Sequence, residues 1–202
     1  MVDSYLPIVL LTVLTVFVVW TLGRYNDLVR SKKRVQEAWS GIDVQLRRRA
    51  SLLPNLVEVV KGYANHEREV FEEVARARGA LQQGGGAGQA ANANNMLNQA
   101  LLRLFAVVEN YPQLRASDNF LSLRSDLSDT EEKIAYARQF YNRNVLDYNT
   151  RIDTYPDTLI ARTFNFLPAE FFRTDEEGRA EVHMNFSGRP ASPGQPAAPP
   201  AA

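Results

Sequence analysis

Residues 46–67 read LRRRASLLPNLVEVVKGYANHE, and how this stretch folds decides how the rest of the chain is arranged. Arg47, Arg48 and Arg49 suit the last turn of a helix, where carbonyl ends carry partial negative charge. Ser51 has the chemistry of an N-cap, and Pro54-Asn55 fits a first turn, where backbone donors have no intrahelical partner. The stretch therefore reads as a tight corner between two helices. The competing reading is one long helix interrupted at Pro54. The apolar phase Trp39, Leu46, Leu53, Val60 runs through the proline, so periodicity alone leaves both open.

Upstream of the corner, Leu28, Val35, Trp39, Ile42 and Leu46 recur at helical spacing, while Lys32, Lys33, Gln36, Glu37 and Asp43 fall on other faces. That is the seam of a helix packed on other helices. Further upstream, residues 5–23, YLPIVLLTVLTVFVVWTLG, carry no charge. As a helix they rise about 28 Å, close to the hydrocarbon thickness of a bilayer. Tyr5 and Trp20 stand near the two ends, where aromatic rings favour the interface. The flank 1–4 has Asp3 and no Lys or Arg, unlike a cleaved signal peptide, so a retained anchor is expected. Arg24, Arg30, Lys32, Lys33 and Arg34 follow the apolar run. By the positive-inside rule the N-terminus is expected outside and the remainder in the cytoplasm.

Downstream of the corner a second helix is expected from about Leu53 to Gln82, ended by the glycine-rich GGGAG at 84–88. Those glycines follow no strand and lead to no Gly-Lys-Ser/Thr, so they read as a linker and not a phosphate loop. A third helix is expected over about 89–110, ended by Pro112. Ser117 or Asp118 opens a fourth, about Asp118 to Asp153. Tyr141-Asn142 and Tyr148-Asn149 stand seven residues apart and share one face of it. Buried, they need partners for their polar ends. An interhelical hydrogen-bond layer is the expected role, with a polar binding groove as the alternative.

These helices predict an all-α chain: a transmembrane helix followed by an antiparallel four-helix bundle of broadly similar helices. The expected division is a flank at 1–4, the span at 5–23, the bundle at 24–156, an aromatic-rich extension at 157–186 and a disordered Pro/Ala tail at 187–202. Up-and-down order returns the chain to the bilayer near Tyr155-Pro156. Phe171 and Phe172 then either cap the bundle core or touch lipid or a neighbouring subunit. EVHMNF, 181–186, suits a short strand or an extended arm.

Composition narrows the chemistry. The 202 residues hold 23 basic and 23 acidic side chains, which gives no argument for nucleic acid as a partner. There is no cysteine, so disulfides, thiolate metal sites and cysteine nucleophiles are excluded. The two histidines are His66 and His183. A di-iron bundle needs Glu-x-x-His pairs, and the residue three before His66 is Tyr63. No kinase, G-x-S-x-G or His-Glu-x-x-His pattern occurs. Neither a catalytic residue, a cofactor nor a metal is therefore expected.

The ordered blocks YNDLV, EAWSGIDVQLRRRASLLPNLVEVVKGYANHE, ARARGAL, ENYPQLRASDNFLSL, SDTEEKIAYARQFYNRNVLDYNTRIDTYP and FFRTDEEGR resemble the LemA family of bacterial membrane proteins. The likeness covers roughly residues 1–186. It implies a single N-terminal transmembrane helix and an antiparallel four-helix bundle. It implies no enzymatic activity and no cofactor, and it carries over no catalytic residues. Ser51 stands where the family often has an acidic residue, and both side chains can cap a helix. The function expected is a non-enzymatic scaffold or self-assembling interaction module at the membrane. Its partners would be the bilayer, through 5–23, and further copies or another membrane-associated protein. An adaptor in envelope stress or signalling and a metal-binding bundle are the alternatives. The interaction positions expected are Arg47, Arg48, Arg49, Pro54, Asn55, Tyr141, Asn142, Tyr148, Asn149, Phe171 and Phe172.

Overall fold

A computed structural model describes residues 5–173, and every described element is helical. The flank 1–4, the expected strand or arm at 181–186, His183 and the Pro/Ala tail lie outside the described residues. The helices are α1 (Leu6–Lys61), α2 (Arg68–Gln82), α3 (Ala87–Val108), α4 (Pro112–Arg115), α5 (Asp118–Asp153) and α6 (Asp157–Thr163).

The corner expected at Ser51-Pro54 is not there. α1 passes through Pro54 without a break to Lys61. Proline at this position removes one backbone hydrogen bond, and its ring lies on the exposed side of the helix. On the opposite phase Leu53, Leu56 and Val60 are almost completely buried, and that burial outweighs the lost bond. Ser51 does not cap; its hydroxyl donates to the Arg48 carbonyl at 2.7 Å. The true corner lies farther along the chain, between Gly62 and Glu67. The second helix is accordingly short.

The first part of α1 is the apolar run. Its large side chains from Ile8 to Leu22 are exposed, and only its last turns have other protein beside them. Thr12, Thr15 and Thr21 donate their hydroxyls to the carbonyls of Ile8, Leu11 and Phe17 at 2.8, 2.8 and 2.9 Å. A helix that satisfies its own hydroxyls this way suits lipid, which offers no other acceptor. This is a helix long and apolar enough to cross a membrane.

Beyond the run, α1 pairs with α5 in antiparallel register. Arg151 donates to the Asp27 carbonyl at 3.3 Å, the Trp39 and Tyr141 rings lie 5.6 Å apart, and Arg49 meets Glu131 at 2.7 Å. From Asp27 to Arg49 the pairing covers about 33 Å of helix. α5 has the limits expected for it, and Ser117 is its N-cap, accepting from the Phe120 N–H at 3.4 Å.

α2 and α3 form a second antiparallel pair, tied by Arg103 and Glu73. Gly84 and Gly85, at φ +68° and +146°, make the turn between them, a backbone that side chains with a Cβ rarely adopt. The four main helices are not of similar length. α2 has 15 residues and α5 has 36, or about 22 Å against about 54 Å. The short pair covers the half of α1/α5 farther from the apolar run, where Leu53, Leu56, Val74, Leu97, Leu104 and Phe120 form one core. Nearer the run, a second core holds Leu28, Ile42, Ile134, Val145, Tyr148 and Phe172. Of the short pair, only the last turn of α2, through Leu81, and the first turns of α3, through Ala87 and Ala91, reach it. The remaining groove between α1 and α5 is filled by chain that is not helical.

Candidate functional site

The filler is residues 164–172, and a repeated pair of side chains on α5 holds it. α6 ends with Asn165 at φ 56°, a left-handed conformation that asparagine tolerates. The Phe166 N–H bonds the Ala161 carbonyl at 2.9 Å, closing a Schellman-type helix end and turning the chain back along α5. The Asn149 side-chain amide then donates to the Ala169 carbonyl at 3.0 Å and accepts from the Ala169 N–H at 2.9 Å. Asn142 treats Phe172 in the same way, at 3.0 and 2.9 Å. The hydroxyls of Tyr148 and Tyr141 donate to the Leu167 and Glu170 carbonyls at 2.9 and 2.7 Å.

The spacing explains the arrangement. Seven residues of α5 rise about 10.5 Å, and three residues of extended chain cover nearly the same distance. Each asparagine amide, one donor beside one acceptor, mimics the edge of a neighbouring strand. All six hydrogen bonds go to main chain, so the clamp itself reads backbone geometry and no side chain. The expected interhelical layer is therefore replaced: these polar side chains grip a strap, because α2 and α3 are too short to supply a helix at this level.

Side chains of the strap add the packing. Phe172 is fully buried, its ring 6.3 Å from Trp39. Phe171 is half-buried against the same core. Neither phenylalanine reaches the end of the body nearest the apolar run, which falls to Phe164, its ring tilted against Tyr25 with centroids 4.9 Å apart. Glu170 turns toward the start of α3; a Cβ on Gly88 would lie 3.2 Å from its carboxylate. A carboxylate is favourable at that helix end, and α3 carries no acidic residue in its own first turn. Burial pushes the Tyr141 hydroxyl above its ordinary pKa, helped by the Glu170 charge, and burial alone does the same to Tyr148.

The three arginines lie in the middle of α1 and have three different fates. Arg47 pairs with Asp43 at 2.8 Å on the exposed face. Arg48 reaches Asp129 of α5 at 3.5 Å. Lys133 donates to the same carboxylate at 2.8 Å, and that bond is the main cause of its lowered pKa. Arg49 is buried, donating to Asn94 of α3 and meeting Glu131 of α5, both at 2.7 Å. Burial lowers its pKa while Glu131 opposes the shift. Arg49 thus ties three helices together, which a helix-terminus role would not. Asn55, like Pro54, is exposed on α1 and joins neither arrangement.

Sequence reasoning found the Tyr-Asn repeat but not its partner, because residues 164–172 carry no periodicity that names a groove. It also missed Asn94 and Glu131. Asn94-Asn95 inside an alanine-rich helix was the available signal, since buried asparagines need partners. His66 is exposed. Among the described residues no group of three or more His, Asp or Glu is placed to hold a metal ion.

Among the described residues, the site and fold define an all-helical body with one candidate membrane span and a strap clamped along its longest helix pair. Residues 38–186 match the LemA family model, and the chain belongs to that family. It is 29% identical over 195 residues to magnetosome protein MamQ of Magnetospirillum gryphiswaldense, covering 84% of this chain and 72% of that protein. It is 30% identical to magnetosome protein MamQ 2 of Paramagnetospirillum magneticum, covering 82% of this chain and 71% of that one. With protein LemA of Metamycoplasma hominis the identity is 25%, over 80% and 74% of the two chains. None of these names describes an enzyme. The apolar helix supports placement at a membrane.

Proposed function

We propose that the chain is a membrane-anchored, non-enzymatic scaffold whose helical body, residues 24–156, works as an antiparallel four-helix bundle presenting surfaces to further copies or to another membrane-associated protein. The observation that carries this reading is the continuity of α1 from the lipid-exposed run to Lys61. No hinge separates anchor from body, so the α1/α5 pair stands as a rigid extension of the span. Such a body suits positioning and assembly better than chemistry. Tyr136 and Phe140, both exposed one turn apart on α5, supply apolar material for a contact. The clamped strap and the Arg49 tie are built to keep this body in one shape. The basic flank after the span supports a body on the cytoplasmic side of a bacterial inner membrane. The relatives named as magnetosome proteins are named for a cellular structure and not for a reaction, which fits a structural role.

Crosslinking and mass photometry on protein extracted from native membranes test this. Discrete high-mass species are expected. Species made only of this chain identify self-assembly, and species with a second protein identify an adaptor. A lone monomer with no crosslinked partner removes the scaffold reading.

A further inference from the structure

We propose that α6 and the turn after it form a second membrane contact, with lipid acyl chains seated in the crevice between α6 and the end of the apolar run. This deepens the reading of α1 as a membrane span and rests on it. The crevice has a volume of about 490 Å³. Phe17, Trp20 and Thr21 form one wall, and Tyr155, Leu159 and Phe164 belong to the other.

Depth is the main argument. Arg24 is the first charged residue after the apolar run, and Phe17 lies seven residues before it, about 10 Å deeper along the helix. Asp157 is level with Arg24 and Phe164 with Tyr25, so the side chains that share a crevice with Phe17 and Trp20 reach from that level toward the deeper turns of the run. With α1 in the bilayer this places them at the interface. The interfacial layer that receives the apolar face of a surface helix is about 5–10 Å deep, which matches.

The chemistry of α6 agrees. Its inner face, Asp157, Ile160 and Ala161, is buried. Asp157 faces Arg24 across 3.8 Å, which pins the helix to α1. Its outward surface carries a group of large apolar side chains, Tyr155 79% exposed, Leu159 57%, Phe164 55% and Leu167 65%, beside the exposed polar residues Arg162, Thr163 and Asn165. A soluble surface gains nothing from such a group, but here it continues the lipid-exposed surface of α1. Exposed Arg162 and Lys32 stand beside it, Lys32 lying 5.8 Å over the Phe166 ring, where long basic side chains can reach anionic headgroups. Two contacts, a span and a foot, fix the tilt of the body as well as its attachment.

The absence of cysteine makes the test direct. Single replacements Leu159→Cys and Phe164→Cys are spin-labelled in the full chain, with Val13→Cys as the span reference and Leu146→Cys as the aqueous reference. The protein is placed in vesicles of phosphatidylcholine with a minority of phosphatidylglycerol, and collision with oxygen is compared with collision with a water-soluble nickel complex. The labels at 159 and 164 are expected to favour oxygen, as the label at 13 does, while the label at 146 favours nickel. Labels at 159 and 164 that follow 146 while 13 reads lipid overturn the second contact and leave the span standing. Labels at 159 and 164 shielded from both reagents overturn it in favour of a covering protein surface. An aqueous reading at 13 removes the span and the second contact together.

Discussion

Asn142→Ala isolates the energetics of the strap. The replacement deletes one donor at 3.0 Å and one acceptor at 2.9 Å, both directed at Phe172. Each such bond contributes about 1 kcal/mol net, so the strap should lose about 2 kcal/mol at this residue. Alanine is the better helix former, so α5 itself should lose nothing. The effect should therefore appear as local release, not as global unfolding. Hydrogen exchange on the full chain reads this, since the Ala169 and Phe172 amides are themselves donors in the clamp. A loss of 2 kcal/mol corresponds to roughly 30-fold faster exchange. That acceleration should be confined to residues 167–173, with α1 and α5 around Ile42 and Val145 unchanged. Asn142→Asp sharpens the test. It keeps the acceptor for the Phe172 N–H but sets a carboxylate against the Phe172 carbonyl. Strap protection should be poor at neutral pH and partly restored in acid, where the protonated group can donate. Equal loss of protection throughout α5 would refute the clamp, as would an unchanged strap.

Phe172→Ala should destabilise the chain by about 3–4 kcal/mol by opening a cavity beside Trp39, read as a lowered denaturation midpoint in detergent. Pro54→Ala should raise stability by about 1–3 kcal/mol, because it restores a backbone bond inside a continuous helix; a loss would mean that the proline shapes a corner after all. Glu131→Gln should cost about 1–3 kcal/mol by leaving the Arg49 charge uncompensated, and Glu131→Gln combined with Arg49→Met should recover much of it in a double-mutant cycle. Tyr141 and Tyr148 have pKa values raised on folding. Their contribution is complete below the ordinary tyrosine range and is lost as pH rises through the folded values. Alkaline titration should release the strap, with tyrosinate absorbance rising alongside exchange of residues 167–173, and Tyr148→Phe should remove part of that dependence.

Elements whose signals are local were legible in the residues alone. The uncharged run at 5–23 reports its length and composition without help from any other residue. α5 is legible to its ends because Ser117 caps it and its apolar seam is unbroken. The Tyr-Asn repeat was visible for the same reason, since seven residues return to one helix face whatever lies opposite. Tertiary structure alone decided the rest. At Pro54 two local signals, a helix breaker and an unbroken apolar phase, opposed each other. The burial of Leu53, Leu56 and Val60 against distant helices settled it for the continuous helix. Moving the corner to Gly62–Glu67 shortened α2, and the shortfall opened a groove that helices do not fill. The strap that fills it is held through its backbone, which is identical at every residue, so no sequence pattern could announce it. Arg49 makes the same point: a run of three arginines looks uniform, yet only the packing of α1, α3 and α5 buries one of them between Asn94 and Glu131.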